Sequence, residues 1–517
     1  MTTRTRIVII GAGFSGLGMA IRLKKAGYSD FVLLEQGDDI GGAWHQNHYP
    51  GCACDVQSAL YCFSFEPNPD WSRAFASQGE IKAYLKYCAG KYDLNRHIRF
   101  DTHVAGARFD ENRQTWTLET ANSVTFREFM QRKGLKPGDE FDRSDAALPP
   151  FESVEADIFI SAVGALSKPA YPAIAGLNSF TGKAFHSQHW DHSYDLKGKR
   201  VAVIGTGASA IQFVPEVAKK AARLDVYQRT PPWILPKPDR AISTLERALF
   251  RRLPPVLKAL RNRIYWMLEA RGAGFVLDRR LLKLGELQSR RHIRSQISDR
   301  ALRRKVTPSY EFGCKRVLLS NNYYPALTRP HVNLLTDGAD EVRDNAILDK
   351  AGNEREVDCI IYGTGFQAQN PIARGTVFGR QGLDLMDVWQ NGAEAYKGTT
   401  VAGFPNFFLL MGPNTGLGHN SMVYMIECQI NYVMGALHEM HSGGWRSLEV
   451  KADAQRRYTS AIHARLKHSV WQTGGCNSWY FNGKGRNTVL WPDFSWKFRQ
   501  QMQTFDATVY HCEHSEP

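Results

Sequence analysis

Two glycine loops in this chain are spaced to hold a dinucleotide. Gly11-Ala12-Gly13-Phe14-Ser15-Gly16 follows a β-branched run, Thr5–Ile10, and opens a helix-like run, Leu17–Ala26, that stops at Gly27. A second strand, Phe31–Leu34, ends on Glu35, 24 residues after Gly11. In this strand–loop–helix–strand–acid order the glycines let backbone N–H groups approach a pyrophosphate at a helix N-terminus, and Glu35 can accept from ribose hydroxyls. The unit then recurs: strand Lys199–Ile204, loop Gly205-Thr206-Gly207-Ala208-Ser209-Ala210, a helix to about Lys220, and strand Leu224–Tyr227. The residue 24 positions after Gly205 is Arg229, followed by Thr230. An arginine where the first unit has an acid removes the group that favours NAD and supplies a cation for a 2′-phosphate, so NADPH is the expected ligand of the second unit.

Two further patterns surround these loops. Phe180, Gly182, His186, Trp190 and Asp191 spell F-x-G-x-x-x-H-x-x-x-W-D, on the connection between the two units. Gly41-Gly42-Ala43-Trp44, Tyr49-Pro50-Gly51 and Asp55 spell G-G-x-W-x-x-x-x-Y-P-G-x-x-x-D. By residue type alone, each reads equally as a turn whose Trp, His and Asp pack or cap. Together they resemble the fingerprints of the type I Baeyer–Villiger monooxygenases, flavoenzymes that use FAD and NADPH to insert one oxygen atom beside a ketone carbonyl.

The resemblance implies a set of roles. FAD would lie on Gly11, Gly13, Phe14, Gly16, Glu35, Gly42 and Trp44, with Asp55 pointing into the active site and balancing a catalytic arginine. In the family a Lys-Arg pair precedes a Tyr-Tyr element; here these are Lys315-Arg316 and Tyr323-Tyr324. Arg316 would then be catalytic and Lys315 would help hold the NADPH phosphate, although by position alone either serves equally as a salt-bridge partner. NADPH would otherwise contact Gly205, Gly207, Ser209, Ala210, Arg229 and Thr230. Ser478-Trp479 and Gly485-Arg486-Asn487 resemble an element that closes Trp479 over the nicotinamide. His186 and Trp190 would couple the two units instead of doing acid–base chemistry.

The implied reaction passes a hydride from NADPH to FAD and adds O2 at the flavin C4a position. The deprotonated peroxide then attacks a ketone in the positive field of Arg316 and retained NADP+, giving an ester or lactone. A related flavin monooxygenase oxidising nitrogen or sulfur is the nearest alternative, but such enzymes commonly lack the Trp190-Asp191 ending. A pyridine nucleotide–disulfide reductase needs a redox cysteine pair that the spacing does not offer. A non-catalytic binder of membranes or nucleic acid would use only the basic helices described next.

The elements that must position these residues point to an α/β fold: two Rossmann-like domains, for FAD and NADPH, with an inserted helical subdomain. The expected segments are 1–166 for the first part of the FAD domain, 167–238 and 311–365 for the NADPH domain, 239–310 for the helical subdomain, and 366–517 for the rest of the FAD domain. A length of 517 residues with 43% apolar and 22% charged side chains suits two or three globular domains. Residues 122–153 are polar and proline-containing, and read as an inserted surface loop or flap. Between Arg240 and Lys305 there are 18 Lys and Arg against 5 Asp and Glu, a net of +13 out of +14 for the chain. That segment alternates apolar and basic residues at helical spacing, which fits a solvated helical face or weak contact with anionic membranes, and it is placed to cover the cleft between the domains. No nucleic-acid partner and no metal site are expected. The substrates are then O2 and an apolar ketone, bulky or long-chain. Nine cysteines without C-x-x-C spacing, and Met1 leading straight into a strand with no signal-peptide pattern, predict reduced thiols and a cytoplasmic protein. No apolar run reaches the ~20 residues of a membrane span. Finally, Phe404–Leu410 and Gly412–Ser421 lead into a helix, Met422–Met440, that Asn420 or Ser421 can cap.

Overall fold

The computed structural model describes residues 2–135, 141–142, 145–369 and 372–514. The first sheet is built from β1 (Thr2–Ile10), β2 (Phe31–Leu34), β3 (Ile98–Arg99), β4 (Thr102–Asp110), β5 (Thr115–Asn122) and β6 (Glu152–Ser161), with Val377–Phe378 and Phe407–Leu409 added. β3, β2, β1 and β6 run parallel, and β5 runs antiparallel between β6 and β4. Ile7, Val8 and Ile9 are fully buried, because a parallel strand is covered on both faces and must be apolar on both.

The second sheet is wholly parallel. It comprises β7 (Lys183–His186), β8 (Arg200–Ile204), β9 (Arg223–Tyr227) and the strands Val332–Leu335 and Cys359–Tyr362, in the order 332–335, β9, β8, 359–362, β7. In both sheets the glycine loop leaves the central strand and turns directly into a helix, Phe14–Lys25 or Ala210–Val217. The opening glycines share one backbone state, φ +101° at Gly11 and +107° at Gly205. A Cβ there would also meet the carbonyl oxygen of Ala162 at 2.8 Å or of Gly363 at 2.4 Å, so no side chain fits either position.

Three expectations change. The 122–153 insertion is not structureless: Ser123–Arg132 is a helix whose N-terminus is capped by Asn122. Phe126, Phe129 and Met130 recur at helical spacing and bury one face against Phe141; residues 136–140 and 143–144 lie outside the described set. The basic segment does form helices, Thr244–Arg252, Pro254–Val276, Leu282–Gln296 and Arg300–Val306, opened by a Ser243/Glu246 capping box and broken at Pro254. It does not cover the cleft, since no residue from 239 to 306 lines the large cavity described below. Instead Arg261 donates to the carbonyls of Ala59, Leu60 and Cys62 at 3.0–3.1 Å, and Ser289 donates to Ile234 O at 2.8 Å. These bonds dock the segment on the 59–62 loop of the first unit and on the short strand Ile234–Leu235, which pairs with Leu318–Leu319 outside the two main sheets. The long helix Met422–Gly443 begins without a side-chain cap: Asn420 Oδ1 accepts from Ser421 N, but Asn420 Nδ2 is drawn away to buried Glu269. Among the described residues no helix is long and apolar enough to cross a membrane.

Candidate active site

A single cavity of about 2530 Å³ runs between the two sheets and is lined by both glycine loops. Its size exceeds that of an ordinary small-ligand pocket, roughly 300–1,000 Å³, and suits two extended dinucleotides. Helix N-termini without side-chain caps face it, among them those that begin at Phe14, Ala210 and Met422. Uncapped N–H groups of this kind are free to take anionic or electron-rich ligand atoms. Gly11, Gly13, Phe14, Glu35, Gly42, Trp44 and Asp55 line the first half of the cavity. Gly16 does not; it lies inside the helix, where a Cβ would strike Gly11 O at 1.9 Å, so its role is to let the loop close on the helix. Glu35 is buried, and its oxygens accept from Ala12 N at 2.6 Å and Gly37 N at 2.8 Å. Burial raises its pKa, partly offset by those N–H bonds. Trp44 is held by an Nε1–H bond to the Tyr61 hydroxyl at 3.1 Å, and Tyr61 packs edge-on against Phe14.

Asp55 and Arg316 meet on the cavity wall. Arg316 Nε donates to Asp55 Oδ2 at 3.1 Å, and Nη2 donates to Oδ1 at 2.8 Å and Oδ2 at 2.6 Å. Nη1 has no partner among the described residues. About a third of each side chain remains open, 35% for Arg316 and 27% for Asp55, and both line the cavity. Burial alone would raise the Asp55 pKa, but the charge and hydrogen bonds of Arg316, with Lys237 behind them, hold it below the usual carboxylate range. The Asp55 charge outweighs burial at Arg316 and keeps the guanidinium protonated. The pair therefore carries two fixed, opposite charges and has no proton to exchange near neutral pH.

The second half of the cavity holds Gly205, Gly207, Ser209, Arg229, Thr230 and Lys315. A Cβ on Gly207 would meet nothing within 4 Å, so the loop surface stands open there. Ala210 is fully buried and starts the helix. Neither Arg229 nor Lys315 has an acidic partner among the described residues, and burial together with the Arg229 charge lowers the Lys315 pKa. Both cations line the cavity close enough for the charge of one to act on the other.

Trp479 is 42% exposed, lines the same cavity and stacks at a tilt on Tyr480, while its carbonyl accepts from Gln369 Nε2. The expectation of reduced thiols fails beside it: Cys314 and Cys476, 162 residues apart, are disulfide-bonded. The bridge ties the Lys315-Arg316 turn to the Trp479 loop, a pairing that sequence spacing cannot reveal because only tertiary packing brings the two thiols together. Among the described residues the other seven cysteines are free thiols.

The fingerprint segment couples the sheets through residues other than those expected. His186 is fully buried, with Nε2 3.0 Å from Gly365 O and Nδ1 accepting from Gln188 N. Burial pushes its pKa down to about 4, so it is neutral with the proton on Nε2. Trp190 packs on Phe185 and Phe213 within the second core. The hydrogen bonds to the first unit come instead from Gln188, which donates to Gln46 Oε1 at 2.7 Å, and between His192 and His48 at 2.8 Å. Gln188 lies in the 3₁₀ turn Ser187–His189, where successive side chains step round by about 120°. Gln212 was also not anticipated: Tyr49 OH donates to its Oε1 at 2.9 Å, and its Nε2 donates to Ala53 O at 2.9 Å. Only the Tyr of the Tyr49-Pro50-Gly51 pattern hinted at such a contact.

Comparison with known proteins bears on this geometry. Residues 9–77 match the model of an NAD(P)-binding Rossmann-like domain, and residues 151–273 match that of flavin-binding monooxygenase-like proteins. A Baeyer-Villiger monooxygenase of Pseudomonas aeruginosa is 54% identical over 98% of this chain and 91% of the relative. One from Streptomyces coelicolor is 43% identical over 99% and 93%. Among solved structures, OTEMO in complex with FAD and NADP superimposes with a TM-score of 0.83 at 28% identity, covering 99% of this chain and all of the other. An oxidized steroid monooxygenase bound to NADP gives 0.82 at 27%, with the same coverage. Identity of this extent along the whole length, over two sheets that line one cavity, places the chain in the Baeyer–Villiger monooxygenase family.

Proposed function

We propose that the protein uses FAD on its first glycine loop and NADPH on its second to insert one atom of O2 beside the carbonyl of an apolar ketone, giving an ester or lactone, with water and NADP+ as the other products. The observation that carries this reading is the Arg316–Asp55 pair, exposed to the cavity where the two halves meet. When bound, FAD supplies the oxygen-transfer chemistry and NADPH the hydride that reduces it.

The chain's own residues bind, orient and exclude water. Asp55 occupies the Nε and Nη2 edge of Arg316 and fixes the guanidinium plane. Nη1 is left to donate to negative charge that develops on oxygen during attack at the carbonyl, where a preorganised donor in a shielded site is most effective. Arg229 and Lys315 would hold the 2′-phosphate, and Glu35 a ribose hydroxyl through its remaining lone pairs. Leu417, Met422 and Ile426 from the cavity wall favour an apolar substrate.

A panel of cyclic and long-chain ketones, incubated with NADPH and labelled oxygen gas, tests the reading. Success is an ester or lactone carrying one labelled atom. NADPH consumption that yields only N- or S-oxides from amine and sulfide controls would overturn it.

A further inference from the structure

Eight of the fifteen large apolar side chains that stand exposed among the described residues fall between Leu245 and Leu287, inside the basic helical segment. They are ordered on the helices. In Leu282–Gln296 the buried positions Leu282, Ser289, His292 and Ile293 share one face, and at about 100° per residue the opposite face presents Leu284, Leu287 and Arg291. Leu284 is 70% exposed. In Thr244–Arg252 and the residue after it, Leu245, Leu249 and Leu253 repeat every fourth position and point outward, Leu245 at 79% exposure. Trp266 stands out from the helix between them.

Arg251 reaches Asp70 and Arg279 reaches Glu311, both outside the segment, and the segment's own five acids are already engaged. Glu246 pairs with Arg240, Glu286 with Arg290, and Glu269 is buried against His419, Asn420 and Ser495. Asp278 and Asp299 accept from backbone N–H groups. Among the described residues Arg280, Lys283, Arg291 and Arg294 have no acidic partner.

We propose that this outward surface docks on an anionic phospholipid bilayer, the leucines and Trp266 entering the headgroup boundary and the arginines meeting the lipid phosphates. Apolar apices flanked by unpaired cations are the pattern that interfacial helices use, and the two contributions reinforce each other. A second copy of the chain would bring an equally basic face against this one and be repelled. Nucleic acid would leave the leucine apices facing phosphates, with nothing to bind them. The surface is separate from the cavity, so docking leaves the nucleotide sites accessible.

The test is sedimentation of the purified holoprotein with vesicles of phosphatidylcholine alone, or of phosphatidylcholine with phosphatidylglycerol, at low and high salt. Wild-type protein should pellet with the anionic vesicles at low salt and remain in solution with the neutral ones. L284S/L287S and R280Q/K283Q/R291Q should each weaken partitioning by about tenfold, with flavin content and turnover of a water-soluble ketone unchanged. Wild-type protein that stays in solution with anionic vesicles overturns the proposal. So does undiminished pelleting of L284S/L287S, which would mark nonspecific charge attraction.

Discussion

Gln212 and Tyr49 join the two nucleotide units through one side-chain hydrogen bond of 2.9 Å, although 163 residues separate them. Gln212 sits on the helix that follows the second glycine loop, and Tyr49 belongs to the loop that leads to Asp55. With the second bond from Gln212 Nε2 to Ala53 O, the amide fixes the Asp55 loop against the second sheet. Gln212→Ala should therefore cost about 1–3 kcal/mol of stability and loosen the Asp55 loop. The expected readout is a higher ratio of NADPH oxidised to ester formed, with flavin retained; an unchanged ratio would show that the bond is only structural.

Arg316→Ala removes the free Nη1 donor and leaves Asp55 without its counter-charge. Ester formation should fall by about 10²-fold or more, while reduction of the flavin by NADPH, followed by stopped-flow absorbance, persists. Arg316→Lys should rescue little, because an ammonium cannot both match the Asp55 edge and present a second donor in the same plane.

Arg229 and Lys315 share a wall without acidic partners. Replacing both with Ala should raise the KM for NADPH by about 10–100-fold, the loss of one or two charge-assisted bonds, and leave the KM for NADH nearly unchanged. A parallel rise for both nucleotides would remove the 2′-phosphate from this site.

His186 is neutral in the fold, with its pKa pushed down to about 4 mainly by burial. The unfolded chain protonates this imidazole near its ordinary value of about 6.5, so between these two values the unfolded state binds more protons. Its contribution to stability is complete above that ordinary value and is lost as pH falls toward the folded pKa, by at most about 3 kcal/mol. His103 and His463 are pushed down to about 4 as well, so His186→Asn should flatten the fall of Tm with acid only partly. The same variant should keep its flavin and slow NADPH-dependent turnover, because His186 holds the Gly365 turn. Flavin loss would contradict that role.

The Cys314–Cys476 bridge ties the Arg316 turn to the Trp479 loop across 162 residues. Cys476→Ser, or reduction with dithiothreitol, should lower Tm by several degrees and raise the KM for NADPH more than it changes flavin content. Alkylation with mass analysis of the unreduced protein should find both thiols protected.

What could be read from residues alone was the local part of the design. Gly11 and Gly205 occupy backbone states closed to other residues, and the runs Ile7–Ile10 and Val201–Ile204 are apolar because both faces of a parallel strand are buried. These are constraints within a few residues, so they leave a pattern in the chain. Asp55 and Arg316 were visible only through resemblance to a family, since nothing within either segment states that a partner waits 261 residues away. The contacts of Gln188, Gln212 and His192, the disulfide, and the placement of the basic helices outside the cavity were decided by tertiary packing. Each depends on which face of one element meets which face of another, and a single side chain in a short loop carries no periodic signal of that choice.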